Sequence, residues 1–464
     1  MRDLARKLME TARGRGVSFA DIRLISTDHT SAQVQDGRAD RLASGTGRGA
    51  GIRVLVDGAW GFCGSERLTA RALEKALDEA IDLARASAPH VMPRAEVTVP
   101  EPVEDHETFD VRIDPRSVDL REKARRIQEL EAAGRAAGDG KISNSIVGYA
   151  DMFQRQILCN TAGSLIESEV IRTMVTATYT ASEAGVMQRA RKAVANVTGY
   201  ELVTELDAET FSVEVSRKAV RLLKARRPPV GTYPVVFHPS ITGLLMHEAL
   251  GHNAEADLVW TGESILAGKL GEQIASPLVT VVDDSTLPHR YGSYRYDSEG
   301  TPGQRRLIID RGRLVGFLHT LETARKFGVQ PNGNGRAQDY LSRPIVRMSN
   351  TFMERGASKF EDLLRGIDRG IYLKDGQWGY VFVDKGQFTC HADQAQMIEN
   401  GRLGEPLRDV TVSGMMLEAL MDIEAVGEDF EMDMPGMCGK GGQGAPVDAG
   451  GPHVRVAKLV VGGV

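Results

Sequence analysis

The sequence predicts an α+β protein, with antiparallel α+β units at its N-terminal end and a β-rich C-terminal domain after them. Three observations lead there. Between Ala20 and Ser65 apolar and polar residues alternate, with glycine punctuation, in IRLIS, AQVQDG and GIRVLVDGAWGF, the two-residue period of half-buried strands. Runs with helical spacing, LTARALEKALDEAIDLARAS (68–87) and VDLREKARRIQELEAAGRAAG (118–138), stand between such segments. Beyond Pro228 and Pro229 the chain becomes a series of apolar runs divided by glycine-containing turns.

In order, residues 3–12 read as an amphipathic helix, 20–65 as a small antiparallel sheet and 68–87 as a helix closed by Pro89 and Pro93. A charged helix over 118–138 then precedes the strand-like runs SIVGYADMFQRQILCNT, SLIESEVIRTMVTATYTAS and GVMQRARKAV. FSVEVSRKAVRLLKA adds another helix, and Arg226–Gly231 is a plausible linker because paired prolines cannot continue a helix. A chain of 464 residues exceeds what one core usually supports. The expected domains are 1–90, 110–225 and 226–464, the last carrying one helix near 240–256 among strands such as LVTVVDD and RRLIIDRGRLVGFLHT.

Composition narrows the function classes. Net charge is −6 and mixed along the chain, which offers no basic footprint for nucleic acid. No segment has the length and apolarity of a membrane span, and the N-terminal MRDLARKLMETARGRG has no signal-type apolar run. Cys63, Cys159, Cys390 and Cys438 are too scattered for a disulfide scaffold, so a reducing cytoplasm is the expected home.

Chemistry concentrates in SITGLLMHEALGHNAEAD, where Ser240 is the expected helix cap and Ile241, Leu244 and Leu245 the buried stripe. His247 and His252 are five apart, not the four that align two imidazoles in the common zinc helix. In a regular α-helix five residues separate them by roughly 140°. Convergence on one ion therefore requires a π-type turn or an early helix end, and Gly251 makes either distortion easier. Without it, HEALGH is an ordinary helix turn with a surface glutamate. A third donor is available in Cys438, among Gly436, Gly439, Gly441 and Gly442, although an isolated cysteine is more often a small core residue.

Other signals are weaker. Gly439, Gly441 and Gly444 match G-x-G-x-x-G but do not join a strand to a helix. Glu255 and Asp257 could orient a histidine, yet solvated acids are the commoner reading. Cys390 reads as an inward strand residue beside His391, and His238 and His319 as structural. No G-x-S-x-G elbow is present.

The HEALGH helix, the RMSN run (Arg347–Asn350) preceded by GNGRAQ, DSEGTPG (Asp297–Gly303) and the terminal MCGKGGQ…GPHVRVAKLVVGG together resemble the TldD/PmbA family. That resemblance implies a zinc metallopeptidase acting on short or unfolded polypeptides. It implies one Zn²⁺ per chain on His247, His252 and Cys438, with Glu248 as general base. It also implies a dimer, either of this chain alone or with a metal-free relative, and the retained motif points to the active type. Rival readings are a zinc hydrolase acting on a non-peptide amide and a metal-bearing assembly subunit that binds a partner without essential catalysis.

Overall fold

The computed structural model describes residues 1–99 and 101–463. Its mixed architecture is α+β with a β-rich C-terminal part, as expected. Segments from both expected N-terminal units share one sheet. Its order is Ala59–Ser65, Arg38–Val56, Phe19–Gln35, Ile142–Asn160 and Leu165–Glu183, and Glu104–Glu107 and Val186–Asn196 both pair along the last strand. These strands are longer than the apolar runs that suggested them. Asp21–Gln35 pair with Ile146–Asn160 without a break, because ladder hydrogen bonds continue where side chains have turned polar.

Alternation decides what each face of this sheet meets. Ala20, Ile22 and Leu24 pack beneath the helices Arg2–Gly14 and Ala70–Ser87, while Ala32, Val34, Val147 and Tyr149 pack beneath Leu120–Ala136 and Glu214–Leu222. The intervening residues face the C-terminal part. There Arg53 joins Asp21 on the neighbouring strand (2.8 Å) to Glu299 (2.7 Å), and Arg23 donates to the carbonyl oxygen of Asp339 (3.1 Å). Paired in this way, the charges can be buried between the two halves.

Beyond the linker, Gly231–Phe237 lies between Arg369–Phe382 and Val454–Gly463. The sheet continues through Val410–Met415 to Gln387–Glu399, which pairs back with Arg369–Phe382, so five strands close a ring. A third sheet sets Arg305–Asp310, Val281–Asp284, Asn350–Met353 and Gln443–Gly451 side by side. Between these sheets runs the helix Pro239–Leu245, buried on every side, against Arg369–Phe382 and Gln443–Gly451. Ser240 is not its cap. His238 takes that place, its Nδ1 accepting the Ser240 N–H (3.2 Å), with Pro239 at the first helical position where its missing N–H is harmless.

Helix and strand meet backbone to backbone at Gly243. A methyl group there would lie 2.7 Å from the Gly450 nitrogen and 2.9 Å from the Ala449 carbonyl carbon. Gly243→Ala should therefore destabilise the protein by about 1–3 kcal/mol through overpacking, outweighing the roughly 1 kcal/mol that alanine gains in helix propensity. Gly14→Ala, where an added methyl meets nothing within 4 Å, is the control and should be neutral or mildly stabilising in denaturant titrations.

Candidate metal centre

The helix changes pitch where the histidines begin. After Leu245, residues Met246–Gly251 form a π-helical turn, and the His252 N–H donates to the carbonyl oxygen of His247, five residues back. That bond brings the two histidines edge to face, with ring centroids 5.3 Å apart at 80°. Gly251 itself is ordinary helix, with φ −58°, so conformational freedom is not why it is glycine. The reason is space, since a Cβ there would collide with the sulfur of buried Met348.

Cys438 arrives on a separate element. It lies on Gly436–Lys440, paired with Gln443–Gly451 in a tight hairpin whose turn residues, Gly441 and Gly442, both have positive φ. Glycine is required at those two positions for the turn. The glycine run is thus a β-hairpin and not a nucleotide loop. One donor atom from each of His247, His252 and Cys438 lies within 4.8 Å of the others. The His252 Nε2 is 3.3 Å from the Cys438 Sγ, and the His247 Nδ1 is buried without a hydrogen-bond partner among the described residues. Two imidazoles and a thiol that converge with one nitrogen unsatisfied suit a borderline-soft divalent cation and leave a coordination position open. Burial pushes the Cys438 thiol up, but hydrogen bonds and attraction from His247 and His252 outweigh it and bring it down to about 5.

Glu255, weighed in the sequence as a solvated acid, is fully buried. Its Oε2 lies 3.2 Å from the His252 Nδ1 and 3.1 Å from the Lys440 Nζ, and its Oε1 3.9 Å from the Arg347 Nε. Burial raises its carboxyl, yet His252, Lys440 and Arg347 hold it below the usual range. Burial likewise lowers the His252 imidazole, and Glu255 and Cys438 reverse this, raising it to about 10. Asp257 binds Lys440 (2.7 Å) instead of a histidine. Arg347, from the RMSN run, donates to the backbone oxygens of Cys438 (2.5 Å) and Gln443 (3.0 Å), so it fastens the hairpin to that run. Sequence reasoning did not single out Arg347 or Lys440 as individual residues. Their only signal was membership of the RMSN and MCGKGGQ motifs.

Glu248 sits beside His247, partly buried, and Gly379 of the neighbouring strand makes room for it, since a Cβ there would come within 2.9 Å of its Cγ. Burial raises its carboxyl, His247 and His252 pull it back, and Cys438 adds to the rise. Among the described residues no hydrogen bond or ion pair engages it, so a salt-bridge role has no partner here. The set-aside residues are not among the three converging donors, although Cys390 pairs with Gly379 beside Glu248. Cys390 is a core residue, its thiol pushed up by burial, and His391 stacks on Trp378 (5.6 Å). His319 is buried against Phe317 and Phe327.

Comparison with known proteins agrees with this architecture. Three family models match the chain in succession: PmbA/TldA metallopeptidase domain 1 at residues 20–88, the central domain at 113–227 and the C-terminal domain at 230–463. A metalloprotease of Methanothermobacter thermautotrophicus is 38% identical over 96% of each chain, and a protein of Saccharolobus solfataricus named zinc metalloprotease TldD homolog is 27% identical over 98% of this chain and 99% of its own. The crystal structure of TldE from Thermococcus kodakarensis superposes with a TM-score of 0.80 at 18% identity, covering 99% of this chain and 100% of that one, and so shares the fold. The chain belongs to the TldD/PmbA metallopeptidase family.

Proposed function

We propose that this chain is a zinc-dependent peptidase that hydrolyses peptide bonds in short or unfolded polypeptides. The observation that carries the reading is the convergence of His247, His252 and Cys438 beside a carboxylate, Glu248, that has no hydrogen-bond or ion-pair partner among the described residues. On this reading those three residues hold one Zn²⁺ per chain, and the name of the Saccharolobus relative supports the choice of metal. Zinc bound there supplies a Lewis acid that acidifies water near neutrality and polarises a carbonyl.

The protein's own groups do the rest. Glu248 accepts a proton from the attacking water and returns it to the leaving amine. Glu255 accepts from the His252 Nδ1–H, which fixes the ring and turns Nε2 toward Cys438, where a bound cation would take the place of the Nε2 proton. Arg347 keeps the Cys438 backbone in place. An extended substrate would add to a strand edge of the β-rich domain through main-chain hydrogen bonds, which favours unfolded chains of many sequences. The active unit is read as a dimer of this chain or a pair with a metal-free relative, and the fold shared with TldE supports such an assembly. Four free cysteines suit a cytoplasmic home, and no described helix is long and apolar enough to cross a membrane.

Cys438→Ala should lose zinc and turnover together. Glu248→Gln should keep its zinc and lose roughly 10²–10⁴ in kcat. Elemental analysis and cleavage assays on the same preparations decide both: full zinc in Cys438→Ala refutes the ligand set, and near-normal turnover in Glu248→Gln refutes the base. Glu255→Gln should weaken zinc binding by roughly 10–100-fold in chelator competition, and unchanged affinity would leave Glu255 without a role at the metal. One substrate protein, digested before and after denaturation, should be cut only once unfolded. Equal rates on the two forms would contradict the proposed substrate class.

A further inference from the structure

A cavity of about 550 Å³ opens between the polar face of the N-terminal sheet and the C-terminal part. Its wall includes Asp297, Ser298 and Gly303 of DSEGTPG and Arg336 of GNGRAQ, two motifs that the metal centre does not use directly, together with Gly444 and Ala445 of the Cys438 hairpin.

Two guanidinium groups line it with no carboxylate in contact among the described residues. Arg172, from the strand Leu165–Glu183, and Arg336 are 8% and 7% exposed. Arg172 donates to the backbone oxygens of Tyr291 (3.1 Å) and Ser293 (3.1 Å). Arg336 donates to that of Met348 (2.6 Å) and lies over the Tyr294 ring (4.9 Å). Neither has a carboxylate within 4.0 Å among the described residues, unlike the buried Arg53 and Arg306. The acids on the cavity wall serve other groups. Asp151 binds Lys123 (2.7 Å), Glu169 faces Arg155 (3.8 Å), Glu107 lies in the field of Arg295, and Asp297 accepts the backbone N–H groups of Glu299, Thr301 and Gly335. Burial and then the mutual repulsion of the two arginines bring Arg172 down to about 10. The hydroxyl of Ser285, also on the wall and 1% exposed, has no hydrogen-bond partner among the described residues.

Two buried like charges with no carboxylate in contact, on one cavity wall with an unsatisfied hydroxyl, are costly unless something negative joins them. We propose that this cavity binds an oxyanion, a carboxylate or phosphate, with Arg172 and Arg336 as its cationic anchors and Ser285 as a neutral donor. Guanidinium forks suit such oxygens through paired, charge-assisted hydrogen bonds. The anion could be a free small molecule or the C-terminal carboxylate of a peptide. The second source rests on the peptidase reading, whereas the site itself does not.

Calorimetry on the full-length protein, in low-salt buffer free of phosphate and sulfate, tests the site without any turnover. The probes are inorganic phosphate, succinate, and a blocked hexapeptide as its free acid and its C-terminal amide. At least one anion should bind, with affinity falling roughly tenfold or more in Arg336→Gln and in Ser285→Ala, the latter removing an unpartnered group and so leaving the fold intact. Tighter binding of the peptide acid than of its amide assigns the site to the peptide terminus. Binding of phosphate or succinate, with no difference between acid and amide, assigns it to a free anion. If no probe binds the wild type, or if both variants bind as the wild type does, the site does not exist. Because the readout is binding, a protein without peptidase activity could still pass, and an active peptidase could still fail.

Discussion

In the helix that starts at Pro239, the N–H of His252 reaches the carbonyl of His247 rather than bonding four residues back. That single change of hydrogen-bond partner turns a spacing that would splay two imidazoles by roughly 140° into one that brings them edge to face. Much follows from it. The π-turn stands only because the helix is packed on all sides, between a closed ring of strands on one flank and the Gln443–Gly451 strand on the other. Gly243 and Gly251 let strand backbone and Met348 come close enough to hold it.

The second requirement is charge. A histidine, a lysine and an arginine converge on the fully buried Glu255, and each of the three comes from a different segment: His252 from the helix, Lys440 from the hairpin, Arg347 from the RMSN run. A buried carboxylate is tolerable only when it is paired this way, and removal of one partner leaves the others uncompensated. The same logic recurs behind the centre at Asp283, which binds Arg306 (2.5 Å), the Ser349 hydroxyl (2.6 Å) and the Thr351 hydroxyl (2.9 Å). The RMSN run thus works through its neighbours, with Arg347 on the hairpin side and Ser349 on the sheet side.

The polar face of the N-terminal sheet extends this pattern to the junction of the two halves. Arg53, Asp21 and Glu299 close a compensated set there, whereas Arg172 and Arg336 form an uncompensated one. In each set the N-terminal members, Asp21 and Arg53 in one and Arg172 in the other, sit on strand residues that alternation turns away from the helices, and Glu299 and Arg336 meet them from the C-terminal part.

The α+β class, the helices near 3–12, 68–87 and 118–138, and the β-rich C-terminal part were legible in the sequence because hydrophobic period and glycine turns are local signals. So were the four residues of the candidate centre, since histidine, cysteine and glutamate carry their chemistry with them. Strand length was not legible, because pairing between backbones continues past the point where side chains stop alternating. Nor was the cap: Ser240 has the ordinary preference, but His238 is held neutral, its imidazole lowered to about 3 by burial and by His453, and so can accept the N–H. Glu255 looked solvated because nothing within the helix shows that Lys440 and Arg347 will arrive to bury it. The sequence by itself determined which donor atoms exist and which segments form helices and strands. The tertiary structure alone decided that His247, His252 and Cys438 meet, because the π-turn and the buried counter-charges depend on contacts between segments about a hundred or more residues apart, and no local pattern encodes those.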